Sequence, residues 1–449
     1  MPLKNPRGTN GVSLGEAVDK KKAPEKKPVD LSKLTIIVAD RGTNTHLAQF
    51  LARYFGKVKY RNLNSSIYPR SIEAQIGKGL PGIEWIDSIQ KHKKKADLIF
   101  FPYIYDEEIQ EDLRSQGYPV CGSGRGAKME LDKYYFYSMV EKVGLPVPYT
   151  YRAEGLDEAL EYCIKHEDRR PILKYAERYR GDFESYAYKN RYAAELFINE
   201  IKFRIGPERA KEVDVLCQSY VEGIETGVDP FMLDGEMPKW SDLGFEVKDN
   251  GYIAKAVESF PEIVQSAIDP LKPIYKALGY RGAYSNEMRI APDGNVYRTD
   301  DTARVGCPVG GCVPEMYGES YARAIYSLAH GEMPVLKPEH PYGAEIKIES
   351  PWNIENQLHI GCPKGFEKHL KLQCATMKGG QYYIIPDPVE GSMDFGSVVG
   401  FGKTLKEAQQ MALDAIEELT VFQLLWDKSI FDETGEIVEK ANKFLGITF

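Results

Sequence analysis

The sequence predicts an α/β protein of several domains, and three observations lead there. From residue 34 onward, short apolar runs alternate with longer amphipathic stretches, the signature of strands and helices in turn. The chain has 449 residues, room for about two to four domains at roughly 100 to 200 residues each. Its residues are 43% hydrophobic and 28% charged, with a mean hydropathy of -0.41, values typical of a globular protein.

Taken in order, residues 1 to 33 are rich in Lys, Pro and Gly and contain DKKKAPEKKP. Such a segment buries too little surface to offset its ordering entropy, and we expect a flexible basic arm. Its lysines, Lys20, Lys21, Lys22, Lys26 and Lys27, fit a solvated tail or a contact with an anionic partner. LTIIVAD (34 to 40), KVKYRN (57 to 62), ADLIFFPYI (96 to 104) and YPVCGS (118 to 123) read as strands of a small parallel sheet, so residues 34 to 123 form an N-terminal α/β domain. From 124, AKMELDKYYFYSMVEKVG reads as one long helix ended by Gly144, with Pro146 and Pro148 preventing its continuation. PILKYAE (171 to 177) and VLCQSYVEG (215 to 223) are strand-like, as is PFMLDGEM. SFPEIVQSAIDPLKPIYKALGY has helical period, and AYSNEMRI (283 to 290) and NVYRTDD (295 to 301) form a hairpin across the turn APDG. We set a middle domain at 124 to 335 and a C-terminal α+β domain at 336 to 449. The latter has β-like segments around 343 to 401 and helices near 404 to 418 and 436 to 444.

No apolar run approaches the roughly 18 residues that span a bilayer, and MPLKNPRGTNGVSL lacks the apolar core of a secretory signal, so we expect a cytoplasmic protein without a membrane partner. Seven scattered cysteines suit a reducing compartment. Cys307 and Cys312, in GCPVGGC, have neither a second pair nor a nearby histidine, so we expect no zinc there. A net charge of -8 lacks the basic footprint of a nucleic-acid-binding surface, the arm excepted.

Chemistry gathers in the middle domain. Glu287 and Asp300 fall on adjacent strands across a short turn, where two carboxylates can face one point and suit magnesium. Thr302 shares the face of Asp300 and can add an oxygen. A solvated acidic hairpin fits the same residues. Lys133 sits at a helix start and Lys174 ends PILK, where a buried stem can hold an ammonium over a phosphate, although each alone also fits a surface charge. YAERYRGD, with Gly181 and two arginines, is a polar loop able to fold over a triphosphate. In QSYVEGIE (218 to 225), Gln218, the backbone around Val221 and Glu225 offer an amide acceptor, exposed peptide groups and a carboxylate, as an adenosine needs; a plain edge strand is the alternative.

The ordered set Lys133, Lys174, Gln218 to Glu225, Glu287 and Asp300 resembles the ATP-grasp superfamily. ADLIFFPYIYDEEIQEDLRSQGYPVCGSGRGAKMELDKYYFYSMVEKVGLPVP and SVVGFGKTLKEAQQMALDAIEEL resemble, more narrowly, parts of phosphoribosylamine–glycine ligase, so that the likeness spans roughly 34 to 425. The resemblance implies a pre-ATP-grasp domain, a two-lobed ATP-grasp domain with a lid at about 148 to 216, and a small C-terminal domain. It implies that Lys133 and Lys174 contact ATP phosphates, that Gln218 and Val221 hold adenine, and that Glu225 holds ribose. Glu287 and Asp300 would bind Mg2+, with Mn2+ as an alternative, and Thr302 stands where the superfamily usually has asparagine. Arg304 matches an arginine suited to an acyl phosphate. The implied activity joins a small-molecule carboxylate to an amine. A carboxylase, a small-molecule kinase and a non-catalytic nucleotide-binding protein are the other readings. Two segments depart from the family: DRGTNTH (40 to 46) replaces a Gly-Gly-Arg-Glu-His run and keeps only His46, and ARVGCPVGG replaces Arg-Phe-Gly-Asp-Pro-Glu. Both help define the acid and amine sites, so a modified nucleotide or specialised metabolite enters as a candidate substrate.

Overall fold

The apolar runs near the start of the chain become the expected parallel sheet. A computed structural model of the protein describes residues 29–64, 72–176, 185–247, 250–306, 310–386, 392–446 and 449. Five strands lie in the order Ile83–Trp85, Lys57–Asn62, Thr35–Asp40, Leu98–Phe100, Val120–Cys121. All pair in parallel. Their centre, including Ile36, Ile37, Val38, Ile99 and Phe100, is fully buried, as sheets covered on both faces require.

A second sheet is antiparallel and has eight strands. Val296–Thr302 and Ser285–Ile290 form its edge hairpin, followed by Ile224–Val228, Ser241–Val247 and Gly251–Val257. Tyr342–Glu349, Asp394–Gly402 and Leu370–Leu372 complete it. Strands on both sides of residue 335 therefore share one hydrogen-bonded sheet. Local periodicity is blind to such pairing, because the partners lie about a hundred residues apart.

A third sheet, Thr150–Glu154, Asp214–Gln218, Ile172–Tyr175 and Ser185–Ala187, is also antiparallel. The helices Leu156–Lys165 and Arg191–Ile205 bury Leu156, Ala159, Cys163, Ala194, Ile198 and Ile201 in a core shared with its strands. Residues 219 to 223 lead from this sheet into the eight-stranded one. Gly223 makes the crossing, with φ +148°, and a Cβ there would lie 2.2 Å from the Ile290 carbonyl oxygen, so only glycine fits.

The long helix expected from 124 is broken. A 3-10 turn Gly124–Ala127 and a short helix Lys128–Leu131 end at Asp132, whose extended backbone (φ -116°, ψ 91°) caps a new helix, Lys133–Lys142. The Asp132 carboxylate accepts from the Tyr135 amide at 2.8 Å, and that N-cap is what resets the helix and puts Lys133 at its first turn. The stretch 260 to 280 divides likewise, with Pro270 in a 3-10 turn between helices Glu262–Ile268 and Lys272–Leu278. Of the basic arm reading, residues 1 to 28 lie outside the described residues, while Leu31–Lys33 form a 3-10 turn with Leu31 buried in the core of the parallel sheet. Of the polar loop YAERYRGD, Tyr175 ends a strand and residues from 177 on lie outside the described residues. Among the described residues no helix is long and apolar enough to cross a membrane.

One irregularity shapes the edge hairpin. Glu287 pairs with Asp300 but Met288 pairs with Arg298, so Thr299 is the extra residue of a β-bulge. The bulge turns Arg298 and Asp301 to the same side, and they form an ion pair with neither side chain exposed. Arg298 Nη1 also donates to the Ala267 carbonyl at 3.0 Å, and the Tyr275 hydroxyl donates to Asp301. Removing one member of such a pair strands the other charge in low dielectric. Asp301→Ala is expected to cost about 3–5 kcal/mol in chemical denaturation, whereas a loss under about 1 kcal/mol would show that Arg298 finds other compensation.

Candidate functional site

Lys133 is held from two sides. Its amide donates to the Ala176 carbonyl at 2.7 Å, tying the helix start to the end of the strand Ile172–Tyr175, which carries Lys174. Its ammonium pairs with Asp300. One helical turn later, on the same face, comes Tyr137. The Tyr137 hydroxyl donates to the Thr299 carbonyl at 2.8 Å, with Gln218 Oε1 at 3.2 Å, and accepts from Lys174 Nζ at 3.4 Å. Lys174 Nζ donates to the same Thr299 carbonyl at 2.9 Å. The bulge is thus what frees that carbonyl from the ladder and aims it at the lid. Burial and then the Asp300 charge raise the Tyr137 pKa, so its hydroxyl keeps its proton as a donor.

Glu287 and Asp300 stand directly opposite each other across the antiparallel pair. Cross-strand neighbours have Cβ atoms about 4.5–5.5 Å apart. Thr302, half-buried, lies on the same face opposite Ser285. These oxygens fit a divalent cation, and a positive group, the Lys133 ammonium, already sits on Asp300. Among the described residues no group of three or more His, Cys, Asp and Glu side chains gathers at one point. A magnesium ion here would draw the rest of its shell from phosphate and water oxygens.

The residues expected to face a nucleotide are more constrained than their sequence suggests. Gln218 is 2% exposed; its Oε1 faces Tyr137 and its Nε2 donates to Thr150 Oγ1 at 3.2 Å. Val221 lines a cleft of about 400 Å3 with Tyr149, Tyr220 and Tyr297, at the crossing between the sheets. The Glu225 carboxylate pairs with Arg289, directly opposite on the next strand. Arg304 is 9% exposed. Its Nε donates to Glu130 Oε1 at 3.0 Å, and the other oxygen of Glu130 accepts from the Ala303 amide at 2.7 Å. Arg304 and Asp229 line a small enclosed cavity with Tyr284, Gly306 and Gly310.

A second charged cluster surrounds His46. Lys371 Nζ bonds Glu315 at 2.6 Å and Arg53 bonds the same carboxylate at 2.8 Å, beside a cavity of about 250 Å3 that His46, Gln49 and Lys368 also line. Burial, then the Lys371 charge, lowers the His46 pKa to about 3, which the Leu372 backbone only partly offsets. Among the described residues neither ring nitrogen has a hydrogen-bond partner. Burial also lowers the Lys371 pKa against the pull of Glu315. Next to this cluster, Gly310 and Cys312 amides donate to Glu345 at 2.9 and 3.1 Å, and burial pushes that carboxyl up to about 7. Cys312 is buried and free; Cys307 lies outside the described residues. A groove of about 750 Å3 is lined by His369, Phe401 and the helix face of Glu407 and Asp414. It carries none of the lysine and carboxylate groups above.

Tyr137, Glu130, Arg289 and Asp301 escape the sequence reading. Tyr137 does carry a signal, four positions after Lys133, and Arg289 shares the alternating face of Glu287.

The parallel sheet, the four-stranded sheet and the larger antiparallel sheet give this chain the fold of ATP-grasp enzymes of known structure. Phosphoribosylamine–glycine ligase from Thermotoga maritima superposes with a TM-score of 0.66 at 16% identity, over 88% of this chain and 99% of that one. The biotin carboxylase domain of Hydrogenobacter thermophilus 2-oxoglutarate carboxylase, solved with MgADP, ADP and bicarbonate, gives 0.61 at 14% identity over 90% and 98%. L-amino acid ligase from Bacillus licheniformis gives 0.52 at 14% identity over 88% and 99%. At such identities the likeness is one of fold. No protein-family profile and no curated protein matches the sequence.

The His46 environment makes a pH prediction. The ring is neutral in the folded chain down to about pH 3, whereas in the unfolded chain it takes up a proton near 6.5. Protons therefore favour the unfolded state below about pH 6.5, by up to about 1.4 kcal/mol per pH unit. Between pH 7 and pH 4 the wild type should lose more stability than His46→Gln; parallel stability profiles for the two proteins would contradict the assignment.

Proposed function

We propose that this protein is an ATP-dependent ligase that activates a carboxylate as an acyl phosphate and joins it to an amine. The observation that carries this reading is the convergence of four chain segments. Lys133 on Asp300, Glu287 across from Asp300, and Lys174 on the adjacent Thr299 carbonyl put two cations and two carboxylates within one strand repeat. A bound triphosphate is the ligand that uses both signs at once. Its oxygens would draw the ammonium groups of Lys133 and Lys174, while a magnesium ion held by Glu287 and Asp300, with Thr302 beside them, would offset charge on the transferring phosphoryl group.

In the first step a carboxylate oxygen attacks the γ-phosphorus, the bond to the β-phosphate oxygen breaks, and ADP leaves. In the second, an amine nitrogen attacks the acyl carbon, phosphate departs and the nitrogen gives up a proton. Arg304, its guanidinium oriented by Glu130, would face the acyl phosphate. Adenine would rest at the crossing near Gln218 and Val221, with ribose toward Glu225. The cavity of His46, Arg53, Glu315 and Lys371 supports a place for the amine against the first domain, since Glu315 and Lys371 are already desolvated. The lid sheet excludes water from the acyl phosphate, which would otherwise hydrolyse.

The test is a screen of amino acids and amines for ADP release, with mass spectrometry of any condensed product. An amide with ADP supports the ligase; bicarbonate-dependent ADP or a stable phosphorylated product would replace it with a carboxylase or a kinase. Asp300→Asn should lower ADP release at least about 100-fold, the scale of losing one preorganised charge-stabilising group, while leaving the fold intact. An unchanged rate removes Asp300 from the site.

A further inference from the structure

One guanidinium organises the crossing between the two sheets. Arg289 follows Glu287 by two positions on the same strand and therefore projects from the same face. Its Nη2 pairs with Glu225. Its Nη1 donates to the Tyr220 hydroxyl at 2.8 Å and to the Val221 carbonyl at 3.3 Å. Arg289 therefore ties together residues on both sides of Gly223, the glycine at which the chain turns from one sheet to the other. The Tyr220 ring lies 4.8 Å from the Arg289 guanidinium and 4.2 Å from that of Arg170, which pairs with Glu222 at 2.6 Å. A cation from each lobe thus holds one tyrosine.

An ordinary cross-strand ion pair needs only two charges facing each other. This one uses the planar fork of arginine to serve a carboxylate, a phenol and a peptide carbonyl, which an ammonium cannot match in geometry. The two groups served besides Tyr220, the Val221 backbone and the Glu225 carboxylate, are those our reading gives to adenine and ribose. We propose that Arg289 is a positioning residue for the nucleotide. It fixes Glu225 at the ribose edge, so that the site distinguishes a nucleotide with ribose hydroxyls from one without. This inference rests on the proposal above that ATP binds here with its ribose toward Glu225. Without Arg289 the carboxylate is one end of a rotamer-rich side chain, and each hydroxyl it accepts must first immobilise it.

The experiment compares binding of MgATP and of its 2′,3′-dideoxy analogue to the full chain by calorimetry, in the wild type, Arg289→Met, Arg289→Lys and Glu225→Gln. Hydrogen bonds to a fixed carboxylate should make the wild type prefer ATP by about ten-fold or more. Arg289→Met and Glu225→Gln should bring the two affinities together, with dideoxy-ATP binding within about two-fold of the wild type. Arg289→Lys, a charge without the fork, should keep only part of the preference. Arg289→Met with the full wild-type preference overturns the inference, as does equal loss of both nucleotides, the mark of a merely structural role. If Arg289→Met does not fold, Arg289→Lys decides, and an undiminished preference there is equally fatal. A wild type that binds ATP and dideoxy-ATP alike removes the ribose role of Glu225, and the inference with it. A wild type that binds neither defeats the ATP reading itself.

Discussion

Two like-charged carboxylates, Glu287 and Asp300, face each other across a pair of strands, and much of the candidate site exists to make that tolerable. Like charges directly opposite on a sheet repel. Lys133 offsets Asp300 from a helix start, and that start exists because Asp132 caps a new helix at that point. Lys174 arrives from the lid sheet and rests on the bulge carbonyl of Thr299. The bulge has a second effect: it turns Asp301 away from its neighbour and into a buried pair with Arg298. Adjacent aspartates thus take opposite roles, one at the site and one anchoring the strand.

The same logic organises the crossing. Besides the apolar core that Leu216 and Ala176 share with Phe136, Tyr284 and Ala303, polar contacts join the four-stranded sheet to the large one. Tyr137 shares its hydroxyl between the lid and the large sheet, and Arg289 and Arg170 hold Tyr220 from opposite lobes. Such contacts are individually modest and reversible, as the proposed opening to a nucleotide and closure over a reactive intermediate would require.

Much of the fold was legible in the sequence, because buried parallel strands such as 35–40 and 98–100 are nearly continuous apolar runs. The hairpin of Glu287 and Asp300 was legible too, since its strands are consecutive and its turn carries Pro, Asp and Gly. The eight-stranded sheet was not, because its last three strands pair with residues far away in sequence. The break at Asp132 was hidden by helical period on both sides; only the Asp followed three residues later by its partner amide gave it away. Within the site, residue types flagged the carboxylates and lysines one by one. Tyr137, Glu130 and Arg289 act through tertiary hydrogen bonds whose partners lie between 37 and 174 positions away, and no local pattern records those.

The central claim is that Glu287, Asp300, Lys133 and Lys174 converge on one metal-bound triphosphate. Crystals grown with Mn2+ and a non-hydrolysable ATP analogue test it directly through the anomalous signal of manganese. The account predicts a peak between the Glu287 and Asp300 carboxylates, with both lysines on the phosphates. Manganese and nucleotide bound elsewhere, with the Lys133–Asp300 pair intact, would contradict it.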